Sequence, residues 1–415
     1  MGQYKKVRGM HDIMPEEIEK WHFVEKIISE TVNLFNYSEL RTPVIEEQAL
    51  FERSVGMETD IVSKEMYTFQ DKKGRKLALR PEGTASTVRA YIESTLSSLD
   101  GITRLYYYGP MFRYDRPQKG RYRQFYQFGV ELFGGASPFY DGEVIEILNT
   151  IISNLGIKDV YFDVNTLGCK DCKSRYTEII KEYVLSIRDR LCEDCKVRSE
   201  KSPLRIMDCK NPVCGKLTEN IPSIQGVLCQ ECADYFTTLL GYLQKKGIEY
   251  NVRSNLVRGL DYYTKTVFEV FLKEDKNAIA AGGRYDLLVK ELGGKETPAV
   301  GFAIGMERLL ELVEKKAPVR SKVYIISMGE QAKQLGLKIS GELRKEKIPV
   351  EMDYDEKSLK TSLKRADRGG FGWSVILGER EIEKGVIVLK NMVTGTQQEV
   401  QRDNCAQTIK NIIER

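Results

Sequence analysis

Residues Gly109–Glu131 read GPMFRYDRPQKGRYRQFYQFGVE. The DRPQKGR turn between two aromatic-rich runs predicts a β-hairpin. On a strand's two-residue period, Tyr122, Tyr126, Phe128, Val130 and Leu132 share one face, and Arg121, Arg123, Phe125, Gln127, Gly129 and Glu131 share the other. The first face can pack, while the second offers polar groups in a row. In a central strand, burying such groups unpaired costs roughly 2–7 kcal/mol each. They must satisfy one another or a polar ligand, unless the face is simply solvated. Arg113 precedes the turn, and Arg116, Lys119 and Arg121 lie within it. Forked guanidinium groups in this setting suit bidentate contact with phosphate.

The rest of the chain narrows the chemistry. With 64 Lys and Arg against 60 Asp and Glu, the net charge is only +4, so any nucleic-acid contact is expected to be a local patch. No 18-residue apolar run is present, the first residues lack an apolar secretory core, and Lys6 breaks the myristoylation pattern. These features give the expectation of a cytoplasmic protein with no membrane partner. The two histidines, His11 and His22, both lie near the N-terminus. A Ser-His-Asp triad, an HExxH helix or a His general base would have to use one of them, and His22 falls in a helical stretch. There is no GxxxxGK[ST] loop, and AGGRYD at 281–286 is not a dinucleotide fingerprint.

Apolar steps of three and four from Ile18 to Phe35 predict an amphipathic helix over 15–36, with Pro15, Glu16 and Glu17 in its first turn. Residues 41–53 read as an extended segment and a short helix, 66–80 as a hairpin, and 81–94 as a turn entering a helix. Hairpins and helices mixed in this way predict an antiparallel α+β domain over 1–320. A helical Cys-rich insertion is expected at 165–250. After a linker at 317–322, strand and helix alternate with apolar strands, predicting a C-terminal α/β domain over 321–415 with a mostly parallel sheet. No long internal repeat or low-complexity tract is evident.

Five segments, in order along nearly the whole chain, carry a resemblance. RTPVIEEQALFERS (41–54) resembles motif 1 of class II aminoacyl-tRNA synthetases, and RPEGTA (80–85) resembles their amino-acid-binding turn. FRYDRPQKGRYRQFYQFGVELFG (112–134) resembles motif 2 in its histidyl-tRNA synthetase form, LVRGLDYYTKTVFEV (256–270) is similar to the histidine-specific stretch, and AVGFAIGMERL (299–309) resembles motif 3.

The resemblance implies ATP-dependent activation of histidine and its transfer to tRNA(His) by a homodimer using Mg2+. It implies that Arg113 and Arg258 meet the α-phosphate and Arg308 the γ-phosphate. Glu131 and Tyr263 would face the imidazole. Glu82, Thr84 and Gln127 would hold the α-ammonium, with Gly83 in the same turn. Tyr262, Tyr285 and Gly305 would line the pocket, and Arg116 and Gln118 would approach the tRNA acceptor end. The C-terminal domain would bind the anticodon, with Lys360, Lys364, Arg365 and Arg368 forming a basic helix.

Two other readings compete. One is the non-catalytic paralogue that serves as regulatory subunit of ATP phosphoribosyltransferase, which generally lacks the anticodon-binding domain and has an eroded RGLDYY. The other is a generic basic RNA-binding protein, which leaves Glu82, Gln127 and Glu131 unexplained.

Eight of the nine cysteines form four close pairs: Cys169 with Cys172, Cys192 with Cys195, Cys209 with Cys214, and Cys229 with Cys232. Two pairs can make one tetrahedral zinc site, so two structural Zn2+ sites are arithmetically possible. In a cytoplasmic protein metal is favoured over disulfide; the alternative is small buried residues. Spacing leaves open which pairs combine. Cys405 reads as a core residue.

Overall fold

The computed structural model describes residues 4–57, 59–98, 101–116, 121–209, 211–260, 262–273, 278–314, 322–355 and 357–413. Two compact units divide at 315/316.

The first unit opens with helix α1 (Pro15–Leu34), which has Pro15 at its first position and Glu16 and Glu17 in its first turn. It buries Trp21, Val24, Ile28 and Val32, an apolar stripe at helical spacing. Strand β1 (Ser38–Glu39) follows. The next strand, β2 (Ile45–Glu47), leads into helix α2 (Gln48–Val55). Strands β3 (Thr68–Gln70) and β4 (Lys76–Leu79) form the expected hairpin and join β2 in a three-stranded sheet, order β2-β4-β3. Helix α3 (Thr84–Glu93) starts at the expected turn.

The long hairpin is β5 (Thr103–Phe112) and β6 (Gln124–Phe133), antiparallel from Thr103↔Phe133 to Phe112↔Gln124. Helix α4 (Pro138–Asn154) follows, with Ser137 as its N-cap and Pro138 at its first position. Strand β7 (Val160–Thr166) precedes the insertion, whose longer helices are α5 (Lys170–Ser186), α6 (Glu193–Lys201), α7 (Pro212–Thr218) and α8 (Gln230–Lys245). The unit closes with β8 (Tyr250–Val252), β9 (Thr264–Leu272), β10 (Ala280–Arg284), α9 (Leu288–Glu291), β11 (Ala299–Gly305) and α10 (Met306–Leu312).

These strands build an eight-stranded sheet, order β1-β5-β6-β11-β10-β9-β7-β8. All neighbours are antiparallel except β1 with β5 and β7 with β8. Residues directly opposite one another share a face, so the register defines two unlike surfaces. Phe128, Val130, Leu132, Phe162, Val164, Phe268, Val270, Val300, Phe302 and Ile304 form one, packed in a core with side chains of α1, α4, α8 and α10. Each large aliphatic or aromatic side chain buried there contributes about 1.5–3 kcal/mol.

The opposite face follows from the rows Tyr107↔Gly129↔Ala303↔Ala281↔Glu269↔Asp163 and Leu105↔Glu131↔Gly301↔Gly283↔Val267↔Asn165. It is mostly small or polar. The sheet is therefore apolar where helices cover it and carries a glycine-floored trough of polar groups on its other side.

The second unit has strands β12 (Val323–Ser327), β13 (Val350–Met352), β14 (Trp373–Leu377), β15 (Val386–Asn391) and β16 (Gln397–Gln401), in the order β13-β12-β14-β15-β16. The first three are parallel and the last two antiparallel. Helices α11 (Glu330–Lys345), α12 (Leu359–Arg368), α13 (Glu379–Lys384) and α14 (Cys405–Ile413) accompany them. Cys405 is buried in this unit's core. No helix among the described residues is long and apolar enough to cross a membrane.

Candidate active site

Glu131 sits in the trough, only 1% exposed. Thr84 donates its hydroxyl to Glu131 Oε1 at 2.7 Å, and the Tyr285 hydroxyl hydrogen-bonds to Oε2. Burial pushes the carboxyl up to about 8, and the nearby Glu82 carboxyl adds to the rise against those two hydrogen bonds. Burial thus favours the protonated form of this carboxyl.

The turn before α3 supplies the next layer. Glu82 accepts the backbone N–H groups of Thr84 (2.7 Å) and Ala85 (2.9 Å), a carboxylate closing a helix N-terminus. The Gln127 side-chain Oε1 accepts the Gly83 N–H at 3.0 Å and the Tyr107 hydroxyl at 3.2 Å. Tyr107 is a pocket member that pattern reading alone missed. A Cβ on Gly83 or Gly129 would lie 2.2 or 2.4 Å from its ring.

Tyr262 stands 4.6 Å from Tyr263 and 5.5 Å from Tyr285, ring centre to ring centre. All three tyrosines are buried. Lys173 of α5 donates to the Tyr263 carbonyl at 2.8 Å, tying the insertion to this wall. At Gly305, which pairs with Gln127 across β11 and β6, an added Cβ would enter open space.

Arg113 follows β5 at the end of the trough. Its Nε donates to the Pro81 carbonyl at 2.8 Å, and the guanidinium lies 5.3 Å from the Phe125 ring centre. Burial lowers its pKa despite the pull of Glu65, Glu82 and Asp115, so the surrounding carboxylates do not fully compensate this cation.

Arg258 is held by an ion pair with Glu269 of β9, a partner the sequence reading did not anticipate. Burial alone would depress Arg258; Glu269, with smaller contributions from Tyr263, Asp208 and Tyr262, more than offsets it and keeps the guanidinium charged. Tyr262 lies in the field of both Arg113 and Arg258. Arg308 of α10 hydrogen-bonds to the Ala278 carbonyl, just before β10. Arg116 is exposed. Gln118 and Lys119 lie outside the described residues.

Behind the trough, Arg284 and Asp141 form a fully buried ion pair. Arg284 Nε donates to Asp141 at 2.9 Å, and its Nη1 reaches the Gly135 carbonyl and Asp286 at 2.8 and 3.0 Å. Tyr235 and Thr266 donate to the same Asp141 carboxylate. Successive residues in a strand point to opposite faces, so this anchor sets Tyr285 above Glu131.

The eight clustered cysteines gather into two groups of four. In the second unit Lys360, Lys364, Arg365 and Arg368 are exposed on α12, and Arg365 is 3.4 Å from both Glu351 and Asp353.

An antiparallel sheet with a polar trough, an acid at its floor and arginines toward one end defines the catalytic fold of a class II aminoacyl-tRNA synthetase. The comparisons narrow this further. The histidyl-tRNA synthetase family matches residues 9–171 and 215–309, and the anticodon binding domain family matches 322–412. The chain is 44% identical to the histidine–tRNA ligase of Halothermothrix orenii over 99% of each chain. It is 46% identical to that of Thermodesulfovibrio yellowstonii over 98% of each. The apo histidyl-tRNA synthetase of S. aureus superposes with a TM-score of 0.83 at 35% identity, covering 98% of this chain and 100% of that one. The chain belongs to the histidyl-tRNA synthetase family, and its activity is that of a histidine–tRNA ligase.

Proposed function

We propose that the trough joins histidine to ATP with the residues in the following roles. Glu131 and the Tyr263 side chain flank the imidazole, whose two ring nitrogens need one partner on each side. Glu82, Thr84 and Gln127 hold the α-ammonium; Gly83, Tyr262, Tyr285 and Gly305 complete the pocket. The substrate carboxylate attacks the α-phosphorus, an O–P bond forms, the bond to the β-phosphate oxygen breaks and pyrophosphate leaves. Arg113 and Arg258 stabilise charge building on the α-phosphate oxygens, and Arg308 orients the γ-phosphate. No general base is required, because the attacking carboxylate is already ionised. This accounts for catalysis in a chain with two histidines, both far from these segments in sequence. A hydroxyl of the tRNA's terminal adenosine then attacks the activated carbonyl and AMP leaves.

Mg2+ is inferred as the cation that accompanies ATP; it takes hard oxygen donors such as the phosphate oxygens, and its charge would offset theirs. Arg116 and Gln118 are assigned to the acceptor end of tRNA(His), and the basic face of α12 to its anticodon region. A homodimer is inferred from the likeness of residues 41–54 to motif 1, with Ile45 and Phe69 exposed on the three-stranded sheet.

The observation that most supports these roles is the buried Glu131 carboxyl, held by Thr84 and Tyr285 at the floor of the trough. The decisive assay is histidine-dependent exchange of pyrophosphate into ATP. Exchange that needs histidine, and is lost when Arg113 or Arg258 is removed, is the expected result. Exchange unchanged in those variants overturns the phosphate roles.

A further inference from the structure

We infer that the insertion carries two structural zinc ions. Cys169, Cys172, Cys229 and Cys232 hold one, and Cys192, Cys195, Cys209 and Cys214 hold the other. Within each group all four sulfurs lie within 4.8 Å of one another. The Cys169 and Cys172 sulfurs are 3.6 Å apart, and those of Cys192 and Cys209 are 3.8 Å apart. A tetrahedral site with Zn–S bonds of about 2.3 Å has S···S edges of about 3.8 Å. A disulfide needs about 2.05 Å, and none of the nine cysteines is disulfide-bonded. The spacing therefore fits a shared cation.

The backbone supports the same arrangement. The Cys169 N–H points to the Cys232 sulfur and the Cys229 N–H to the Cys172 sulfur, both at 3.1 Å. This reciprocal pair is what two matched knuckles around one ion present. In the second group the Cys192 N–H points to the Cys214 sulfur at 3.3 Å. Such N–H···S contacts favour the thiolate over the thiol.

Cys169, Cys192 and Cys229 are the N-caps of α5, α6 and α8, so the partial positive charge at these helix ends offsets part of the four thiolates' charge. In both groups half of the sulfurs belong to residues that are only half-buried, which plain packing in an apolar core does not explain. The insertion's own core is small, and small cores are where metal staples add most. The first site joins segments 63 residues apart, fastening the start of α5 to the start of α8. The second lies within 172–214, which the family match skips.

The test uses the full chain purified without chelator. Elemental analysis should give two zinc per chain, and X-ray absorption four sulfur neighbours at about 2.3 Å. Paired replacements read the partition. Cys169→Ser with Cys229→Ser should keep one zinc, as should Cys192→Ser with Cys209→Ser, while Cys169→Ser with Cys192→Ser should keep none. One zinc retained in that last variant overturns the grouping. Should the variants fail to fold, cadmium-113 NMR of the exchanged, unaltered chain decides it. Two resonances are expected, each correlated with the β-protons of one group; correlations crossing the groups overturn it. Bound iron in place of zinc, fewer than two metals per chain, or disulfides within the groups also overturn the proposal.

Discussion

Tyr285 donates its hydroxyl to Glu131, and the residue before it, Arg284, is locked to Asp141 on the other side of the sheet. The proposed histidine pocket and the core beneath α4 are thus fixed by adjacent residues of one strand end. This arrangement assigns separable roles to residues lying close together.

Arg258→Ala is expected to lower the rate of adenylate formation roughly 100- to 1000-fold, the scale of losing one fixed transition-state donor. Circular dichroism and subunit state should be unchanged. Single-turnover adenylate formation measures this directly. A variant that activates histidine at the normal rate removes Arg258 from the phosphate site.

Glu131 links pocket chemistry to stability. Its carboxyl is raised from 4.5 to about 8 by burial, with Glu82, Tyr107, Tyr262, Tyr263 and Tyr285 as its ionisable surroundings. As pH rises from about 4.5 to about 8 the unfolded chain has released this proton while the folded chain keeps it. Fewer protons are then bound when unfolded, so folding stability falls through that window. Glu131→Gln removes the titration. Thermal unfolding without histidine at pH 5, 6.5 and 8 should show the variant losing less stability with pH than the parent. The same variant should weaken histidine binding about 10- to 100-fold while ATP binding changes less than about twofold. Equal losses for both ligands take Glu131 out of the imidazole pocket.

Asp141→Ala leaves Arg284, at zero exposure, with the half-buried Asp286 as its one remaining carboxylate partner among the described residues. It should destabilise the first unit by about 3–5 kcal/mol in chemical denaturation. Asp141→Leu combined with Arg284→Met should recover much of that loss, because the expense lies in the stranded charge. A single variant as stable as the parent would show that the ion pair does not anchor the strand.

Much of this architecture is legible in short-range pattern. The alternation in residues 121–132 separates a packing face from a polar face, and β6 has both. The helical spacing from Ile18 onward gives α1. Contacts between distant segments are not legible in that way. Nothing near Arg258 marks Glu269 as its partner, since the pairing exists only once β9 runs beside the 256–260 turn. Tyr107 reads as one more strand tyrosine until the glycines at 83 and 129 make room for its ring. The four cysteine pairs are plain in sequence, yet only the fold brings the outer two together and the inner two together. Strand β16, mostly exposed and polar, lacks the apolar run that betrays its neighbours, and the direction of apolar β15, antiparallel to β14, is not marked by its composition.

Opposite Glu131 on β11 lies Gly301, where a methyl group would come within 1.9 Å of the acid's Oε2. With Glu131 in its proposed role, selectivity would depend as much on a missing side chain as on a present one. Redesign of this enzyme toward another amino acid has to leave 301 as glycine, because a side chain there would also meet the Val130 carbonyl oxygen at 2.3 Å, backbone that trimming the acid does not move. Variation is open at 131 and closed at the residue facing it.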